Sequence, residues 1–231
     1  MESKMNKPNI VLVHGAWGDG SHWRQVIAKL QAKGYPVIAV QNPLTSLEDD
    51  IRRTVQVAGD LKGPTLLVGH SYGGMVITGA GNVENVIGLV YIAAFAPDEG
   101  EDPAGLFALR EPPSGAAAIH PDGHGFLWLD NALYHEAFCQ DLDKQESAIL
   151  AATQKPIAAR CFTDQSGPAA WKNKPSWYQI STQDRMIPPE TQRWFAERMQ
   201  PKKTLVLDAS HASLASHADD IVTLIDEAAN Y

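Results

Sequence analysis

A serine between two glycines is the feature of this chain best suited to covalent chemistry. Residues 69–73 read Gly-His-Ser-Tyr-Gly, which matches G-x-S-x-G with Ser71 at its centre. The apolar run 65–68 before the motif is typical of a buried strand, and the compact run 75–80 after it is typical of a packed helix. A serine on such a strand-to-helix turn stands above the sheet as a nucleophile, and the glycines permit the strained backbone. We therefore predict that Ser71 is a catalytic nucleophile.

Ser71 needs a base that accepts its proton, and histidine is the usual base. On a sheet with this turn, the chain order is Ser, then Asp or Glu, then His. Three of the eight histidines precede Ser71, three lie in an irregular middle segment, and only two come late. Of the late pair, His211 directly follows the apolar run 205–207, whereas His217 stands at the start of the last helical segment. We predict that His211 is the base and that His217 is solvated or caps the helix.

The base needs a carboxylate that orients its ring. Asp184 comes just after the apolar run 176–180, at the end of the strand before the one that leads to His211. Asp164 and Asp208 are rivals. Asp164 comes early in the chain, and Asp208 is so near His211 in sequence that an orienting geometry is awkward. Asp184 is the predicted acid.

Two backbone N–H groups are predicted to hold the oxyanion that forms during acyl transfer. One belongs to Tyr72, the residue directly after the nucleophile. The other is expected from the loop after the first strand, where His14 and Gly15 precede Ala16. Because Gly15 lets the backbone bend close to the serine, we predict that Ala16 supplies the second N–H.

The elements that must position these residues alternate between strands and helices. Strands are predicted at 10–13, 36–40, 65–68, 86–92, 176–180 and 204–207. Helices are predicted to begin at Ser21, at a Ser46–Asp49 capping pattern, after Gly74, at Pro188 and at Ala218. This alternation indicates an α/β fold with a doubly wound, mostly parallel sheet. In such sheets ligands bind at the carboxyl ends of the strands.

The regular alternation stops in the middle of the chain. Residues 95–171 are rich in proline, glycine and aromatic residues and show no strand–helix alternation. We predict a mainly helical cap insertion over this range, with a core made of 1–94 and 172–231. The cap aromatics are expected mostly to pack the insertion onto the sheet. From them and the first loop, the residues predicted to contact substrate are Trp17, Phe95, Phe126 and Trp128.

Composition excludes several other classes of protein. The formal charge of −8 over 231 residues argues against nucleic acid as a partner. Cys139 and Cys161 are too few and too distant in sequence for a disulfide framework or a zinc cluster. The middle segment contains His120, His124 and His135, and their irregular spacing does not indicate a metal site. No cofactor is expected. The N-terminal residues lack the apolar core of a signal peptide, and no apolar run is long enough to span a membrane. A cytoplasmic protein is expected.

Taken together, the motifs resemble the α/β-hydrolase superfamily. The segments that carry the likeness are His14–Trp17, Gly69–Gly74, Asp184–Pro188 and Ser210–His211. Their order and spacing are similar to those of the small branch that holds plant methylesterases, hydroxynitrile lyases and bacterial carboxylesterases. The resemblance implies Ser71 as nucleophile, Asp184 as acid, His211 as base, and Ala16 and Tyr72 as oxyanion donors. A homodimer is expected from the family alone.

Two departures from the family pattern bear on the reaction. Hydroxynitrile lyases usually carry a lysine after the catalytic histidine and a threonine in the first loop. This chain has Ala212 and runs from Val13 directly into His14 and Gly15. The superfamily's dehalogenases and most of its epoxide hydrolases use aspartate where this chain has Ser71. We therefore predict a serine hydrolase that cleaves esters of small, partly apolar molecules. A lactonase, a C–C hydrolase, a lyase on the same triad and a non-catalytic ligand receptor stay as alternatives.

Overall fold

A six-stranded parallel sheet with helices on both faces forms the centre of the fold. The computed structural model of the protein describes residues 7–110 and 112–231. In chain order, the strands are Asn9–Val13 (β1), Val37–Val40 (β2), Thr65–His70 (β3), Val86–Ile92 (β4), Ile119–Pro121 (β5), Phe126–Leu129 (β6), Ile157–Ala158 (β7), Ser176–Ser181 (β8) and Lys203–Leu207 (β9). The central sheet has the order β2-β1-β3-β4-β8-β9, which confirms the predicted fold class.

Helices lie on both faces of this sheet and also in the middle segment of the chain. They are Arg24–Ala32 (α1), Leu47–Asp60 (α2), Gly73–Ala80 (α3), Pro103–Ala108 (α4), Tyr134–Phe138 (α5), Lys144–Ala152 (α6), Pro189–Met199 (α7), Ser213–Ser216 (α8) and Ala218–Ala229 (α9). Successive strand residues point to opposite faces, so one strand serves both layers. Ile10 and Val68 pack with α1 and α9, whereas Val11 and Leu67 pack with α2, α3 and α7.

The local sequence signals define most of these elements. The ends of the six central strands differ by at most two residues from the predicted ones, and α9 begins at the predicted Ala218. At the start of α2, the Ser46 hydroxyl accepts a hydrogen bond from the Asp49 N–H at 3.0 Å, as the capping pattern predicts. Helix α1 ends at Ala32, and the chain turns away two residues later at Gly34, whose φ is 82°.

The strand order reverses between β1 and β3. The chain goes from β1 to the edge strand β2 and then returns to β3 on the other side of β1. Because all six strands are parallel, the loops that leave β1, β3, β8 and β9 meet at one edge of the sheet. A crevice at such a reversal is the usual ligand site of an open α/β sheet.

The middle segment contains more β structure than the sequence suggests. It holds α4, α5 and α6, together with an antiparallel sheet in the order β5-β6-β7. Strands of two to four residues are too short to produce a periodic pattern, so the sequence does not reveal them. The cap boundaries at 95 and 171 stay a prediction. Within residues 7–110 and 112–231, no helix is both long and apolar enough to cross a membrane.

Candidate active site

Ser71 lies on the tight turn between β3 and α3. Its φ of 56° is in the left-handed region, which is strained for a residue with a side chain. The surrounding backbone holds it there: the Ser71 N–H donates to the Ile92 oxygen at 3.2 Å, and the Ser71 oxygen accepts from the Gly74 N–H at 2.9 Å. A Cβ at Gly69 would lie 2.6 Å from the Gly73 oxygen, so the turn requires glycine.

The structure brings His211 and Asp184 to this serine in one hydrogen-bonded chain. The His211 Nε2 lies 2.8 Å from the Ser71 Oγ, and the His211 Nδ1 lies 2.7 Å from the Asp184 Oδ2. The imidazole is fully buried. With Nδ1–H donating to the carboxylate, Nε2 has a free lone pair that faces the hydroxyl. This arrangement is suited to transfer of the hydroxyl proton from Ser71 to His211.

Four donors surround the Asp184 carboxylate. Its Oδ1 accepts from the N–H groups of Met186 at 2.7 Å and Ile187 at 2.9 Å. Its Oδ2 accepts from His211 and also from the Gln192 Nε2 at 2.8 Å. Asp184 is thus built as an acceptor.

The two rival carboxylates have other partners. The Asp208 carboxylate is exposed and accepts from the Thr182 hydroxyl at 3.1 Å and the Gln183 amide at 2.9 Å. The Asp164 carboxylate accepts from the Leu47 N–H at 3.0 Å at the start of α2. Neither contacts His211, so their roles are local.

Two other buried histidines, His70 and His14, hydrogen-bond to the loops near Ser71. The His70 Nε2–H donates to the His211 carbonyl oxygen at 2.8 Å, and burial lowers the pKa of His70 well below its usual value. His14 donates from Nδ1 to the Gly15 oxygen at 2.9 Å and accepts the Asn42 N–H on Nε2 at 3.0 Å. Burial lowers the pKa of His14 to about 4. These rings stay uncharged near neutral pH and support the loops without opposing a positive charge on His211.

The predicted oxyanion donors flank the nucleophile. A Cβ at Gly15 would lie 2.7 Å from the Ser71 Cβ, so the first loop touches the serine. Within the described part of the chain, the N–H groups of Ala16 and Tyr72 donate to no protein acceptor, although both residues are buried. Buried N–H groups normally have a partner. Two such donors beside one serine suit a negatively charged oxygen.

The Tyr72 hydroxyl is hydrogen-bonded to a buried carboxylate. It donates to the Asp50 Oδ2 at 2.8 Å, and the Asp50 Oδ1 accepts the Leu44 N–H at 2.8 Å. Burial raises the pKa of Asp50 to about 6, partly offset by these hydrogen bonds. The contact ties the residue after the nucleophile to the start of α2.

A small apolar cavity lies over Ser71. Its volume is about 20 Å³, which is room for about one water molecule. The lining consists of Ala16, Trp17, Ser71, Tyr72, Phe95, Phe107, Ile119, Phe162, Met186 and Ile187. The wall is almost entirely apolar and contains no charged side chain. A molecule larger than water therefore needs some movement of the cap before it can reach Ser71.

Two of the four predicted substrate contacts line this cavity. Trp17 and Phe95 do, and the Trp17 indole also donates to the Leu127 oxygen of β6 at 3.0 Å. Phe126 and Trp128 do not lie on the cavity wall, and substrate contact by these two residues stays a prediction. Phe126 pairs with β7 in the small sheet, and the Trp128 indole donates to the Asp122 carboxylate at 3.1 Å. Phe126 also packs against the buried core.

Several site residues were missed by sequence reasoning. Met186 and Ile187 follow Asp184 directly, and their position in that loop was an available signal. Ile119 and Phe162 come from the cap, where no periodicity predicts which side chain faces Ser71. Gln192 is a fully buried polar residue on the inner face of α7, a sign that it has a hydrogen-bonding task.

Comparison with known proteins identifies the family. The sequence model of the alpha/beta hydrolase family matches residues 10–224. The chain belongs to this family.

Individual relatives share modest identity with this chain. Methylesterase 3 of Arabidopsis thaliana is 24% identical to this chain, and the alignment covers 100% of this chain and 99% of the methylesterase. A carbendazim hydrolyzing esterase of Nocardioides sp. is 34% identical over an alignment that covers 47% of this chain and 51% of the esterase. The crystal structure of a pyrethroid hydrolase from Sphingobium faniae superposes with a TM-score of 0.83 at 22% identity, covering 96% of this chain and 97% of that chain. This last likeness concerns the fold alone.

Proposed function

We propose that this protein is a serine hydrolase that cleaves carboxylic esters of small, partly apolar molecules through an acyl-enzyme intermediate. The observation that carries the proposal is the chain of contacts from Ser71 to His211 at 2.8 Å and from His211 to Asp184 at 2.7 Å. The apolar cavity at Ser71 and the esterase names of relatives such as methylesterase 3 support the same reaction.

Acylation begins with attack of the Ser71 Oγ on the ester carbonyl carbon. The hydroxyl proton passes to His211 Nε2, and the Asp184 carboxylate stabilises the imidazolium that results. Negative charge on the former carbonyl oxygen is stabilised by the Ala16 and Tyr72 N–H groups. When the carbon–oxygen bond of the ester breaks, His211 returns the proton to the leaving alcohol.

Deacylation repeats these steps with water as the nucleophile. His211 removes a proton from water, and the hydroxide attacks the acyl carbon on Ser71. The same two N–H groups stabilise the second oxyanion. Collapse of this intermediate breaks the bond to Ser71 Oγ, which regains its proton from His211, and the carboxylic acid leaves. Every proton transfer in the cycle uses the one imidazole nitrogen that faces the serine.

The sequence alternatives differ in the bond that is cleaved. This chain has Ala212 in the position where the lyases usually carry the lysine that helps to stabilise cyanide, which favours hydrolysis over cyanohydrin cleavage. A lactone is itself an ester, so a lactonase would use the same chemistry. The cytoplasmic location and the homodimer stay predictions.

The proposal is tested by Ser71→Ala, with the exposed Ser21→Ala as matched control. We expect Ser71→Ala to lower kcat for p-nitrophenyl acetate by about 10⁴-fold or more. The variant should keep the wild-type circular dichroism spectrum and lose covalent labelling by a fluorophosphonate. Substantial activity or labelling in Ser71→Ala would show that another residue is the nucleophile. A wild-type protein that is not labelled would favour a ligand receptor instead.

A further inference from the structure

Gln192 makes more specific contacts with the catalytic acid than a helix residue needs for packing. It lies on α7 and is fully buried. Its Nε2 donates to the Asp184 Oδ2 at 2.8 Å and to the Ile187 oxygen at 2.7 Å, and its Oε1 accepts the Ser181 N–H at 2.9 Å. Both amide donors and the amide oxygen therefore have partners.

These partners determine the orientation of the amide. Ser181 offers an N–H, whereas Asp184 and Ile187 offer only oxygens to Gln192. In the flipped orientation, the Gln192 oxygen would face two other oxygens, and its NH₂ would face an N–H. The amide can thus act only as a donor toward the carboxylate, and it is anchored to the end of β8 while it does so.

The contact is made on the same oxygen that holds the catalytic histidine. Asp184 Oδ2 accepts from both His211 Nδ1 and Gln192 Nε2, whereas Oδ1 accepts from two backbone N–H groups. The backbone donors secure one end of the carboxylate, and Gln192 secures the other. Rotation of the carboxylate about its Cβ–Cγ bond would break bonds at both ends. Oδ2 therefore stays directed at His211.

We propose that Gln192 is a positioning residue for the reaction, holding the Asp184 carboxylate in the orientation that aligns His211 with Ser71. This inference rests on the proposed function, because it assigns Gln192 a task in that mechanism. Gln192 does not line the cavity over Ser71, so it acts through Asp184. As a neutral donor, it shares the negative charge of Oδ2 without neutralising it. It thereby limits how strongly the carboxylate favours the protonated imidazole.

A purely structural role makes a different prediction. If Gln192 only joined β8 to α7, its loss would lower stability but leave the pH profile of each folded molecule unchanged. If it positions Asp184, its loss lowers kcat rather than raising KM, since no substrate contact is lost. The acidic limb of the kcat/KM profile should also move to higher pH, because a carboxylate with one donor fewer holds the His211 Nδ1–H more tightly.

The first experiment compares Gln192→Met with the exposed Gln31→Met on α1 as control. Methionine has similar length but no donor. With p-nitrophenyl acetate as substrate, kcat is divided by the concentration of sites that a fluorophosphonate labels. For Gln192→Met we expect this kcat to fall about 10- to 100-fold, as for loss of a hydrogen bond to a charged group. The KM should stay within about twofold of the wild type. The acidic limb moves to higher pH, and Gln31→Met matches the wild type. Unchanged kcat per labelled site together with an unchanged limb overturns the proposal, whether or not stability falls.

The second variant, Gln192→Glu, keeps the shape of the side chain and tests the donor directly. A glutamate can donate to Asp184 Oδ2 only when it is protonated, because two ionised carboxylates at hydrogen-bond distance repel. We expect the activity of Gln192→Glu relative to wild type to be higher at pH 6 than at pH 8.5. A ratio that does not change with pH overturns the proposal even if Gln192→Met fails to fold. Failure of the proposed function would be distinct, because the wild-type protein itself would then hydrolyse no ester.

Discussion

The two sides of Ser71 are built from different kinds of interaction. On the base side, His211, Asp184 and Gln192 form a chain of side chains joined by hydrogen bonds of 2.7 to 2.8 Å. On the oxyanion side, the proposed donors are the backbone N–H groups of Ala16 and Tyr72, and Gly15 packs against the serine. One side depends on functional groups and the other on backbone shape.

This difference predicts how each side fails. On the base side, a change of functional group should abolish activity while the backbone stays in place. A change of volume should disturb the oxyanion side even when no functional group is lost. Side-chain donors can be tuned by substitution, whereas a backbone N–H can be moved only by moving the chain that carries it.

The largest effect is expected from a change of functional group on the base side. Asp184→Asn keeps the shape but offers an NH₂ group that can favour the wrong tautomer of His211, so kcat for p-nitrophenyl acetate should fall by about 10⁴-fold. Asp208→Asn, a change of the exposed rival, should leave kcat within about twofold. A loss of less than tenfold in Asp184→Asn would show that the carboxylate does not orient the base.

On the oxyanion side, adding a single methyl group should be enough to lower activity. The added Cβ in Gly15→Ala would lie 2.7 Å from the Ser71 Cβ and 2.9 Å from the His70 oxygen, so the loop that carries Ala16 must shift. We expect kcat to fall by about 10²- to 10³-fold, as for loss of one oxyanion donor. Gly167→Ala is the control, because a Cβ there meets no atom within 4 Å. Equal kinetics in the two variants would argue against a donor in the first loop.

The buried histidines around the site predict acid sensitivity of the fold. Burial lowers the pKa of His14 and of His22 to about 4, from 6.5 in the unfolded chain. The unfolded state therefore binds more protons between these values, and the stability from each neutral ring is present above pH 6.5 and lost as pH falls toward 4. The loss approaches about 3 kcal/mol for each histidine. Urea unfolding at pH 8, 6 and 5 measures it.

One carboxyl group opposes this trend. The pKa of Asp50 is raised to about 6, so its contribution to stability grows as pH falls from 6 toward 4. Because His70 adds to His14 and His22 in the opposite sense, we expect a net loss of stability in acid. The His22→Phe variant should show a smaller loss than the wild type. An equal loss in both proteins would mean that His22 does not contribute to the acid sensitivity.

The smallest effect is expected where a side chain supports the oxyanion side from behind. Tyr72→Phe removes the hydroxyl that donates to buried Asp50 but leaves the Tyr72 N–H in place. We expect the free energy of unfolding to fall by about 1–3 kcal/mol, with less effect on kcat than Gly15→Ala. Tyr134→Phe is the matched control, since that buried hydroxyl has no hydrogen-bond partner among the described residues. A similar loss in both variants would contradict the proposed support.

Local patterns in the chain were sufficient to predict much of the fold and part of the site. The glycines around Ser71, the capping serine at 46 and the proline start of α7 act within a few residues, so their structural meaning can be read directly. Asp184 and His211 could be selected because their strands end at the same edge of the sheet, as the parallel order requires.

The partners and the shape of the site depend on contacts that no local pattern encodes. Gln192 meets Asp184 because α7 folds back over β8, and Asp50 meets Tyr72 because the start of α2 packs beside the nucleophile. Cap side chains such as Phe107 and Phe162 reach the cavity, whereas Phe126 and Trp128 do not. In the irregular cap, residue type indicates only that a side chain is apolar. The sequence by itself determined which groups can react and in what chain order, and packing across distant segments decided which neighbours hold them in place.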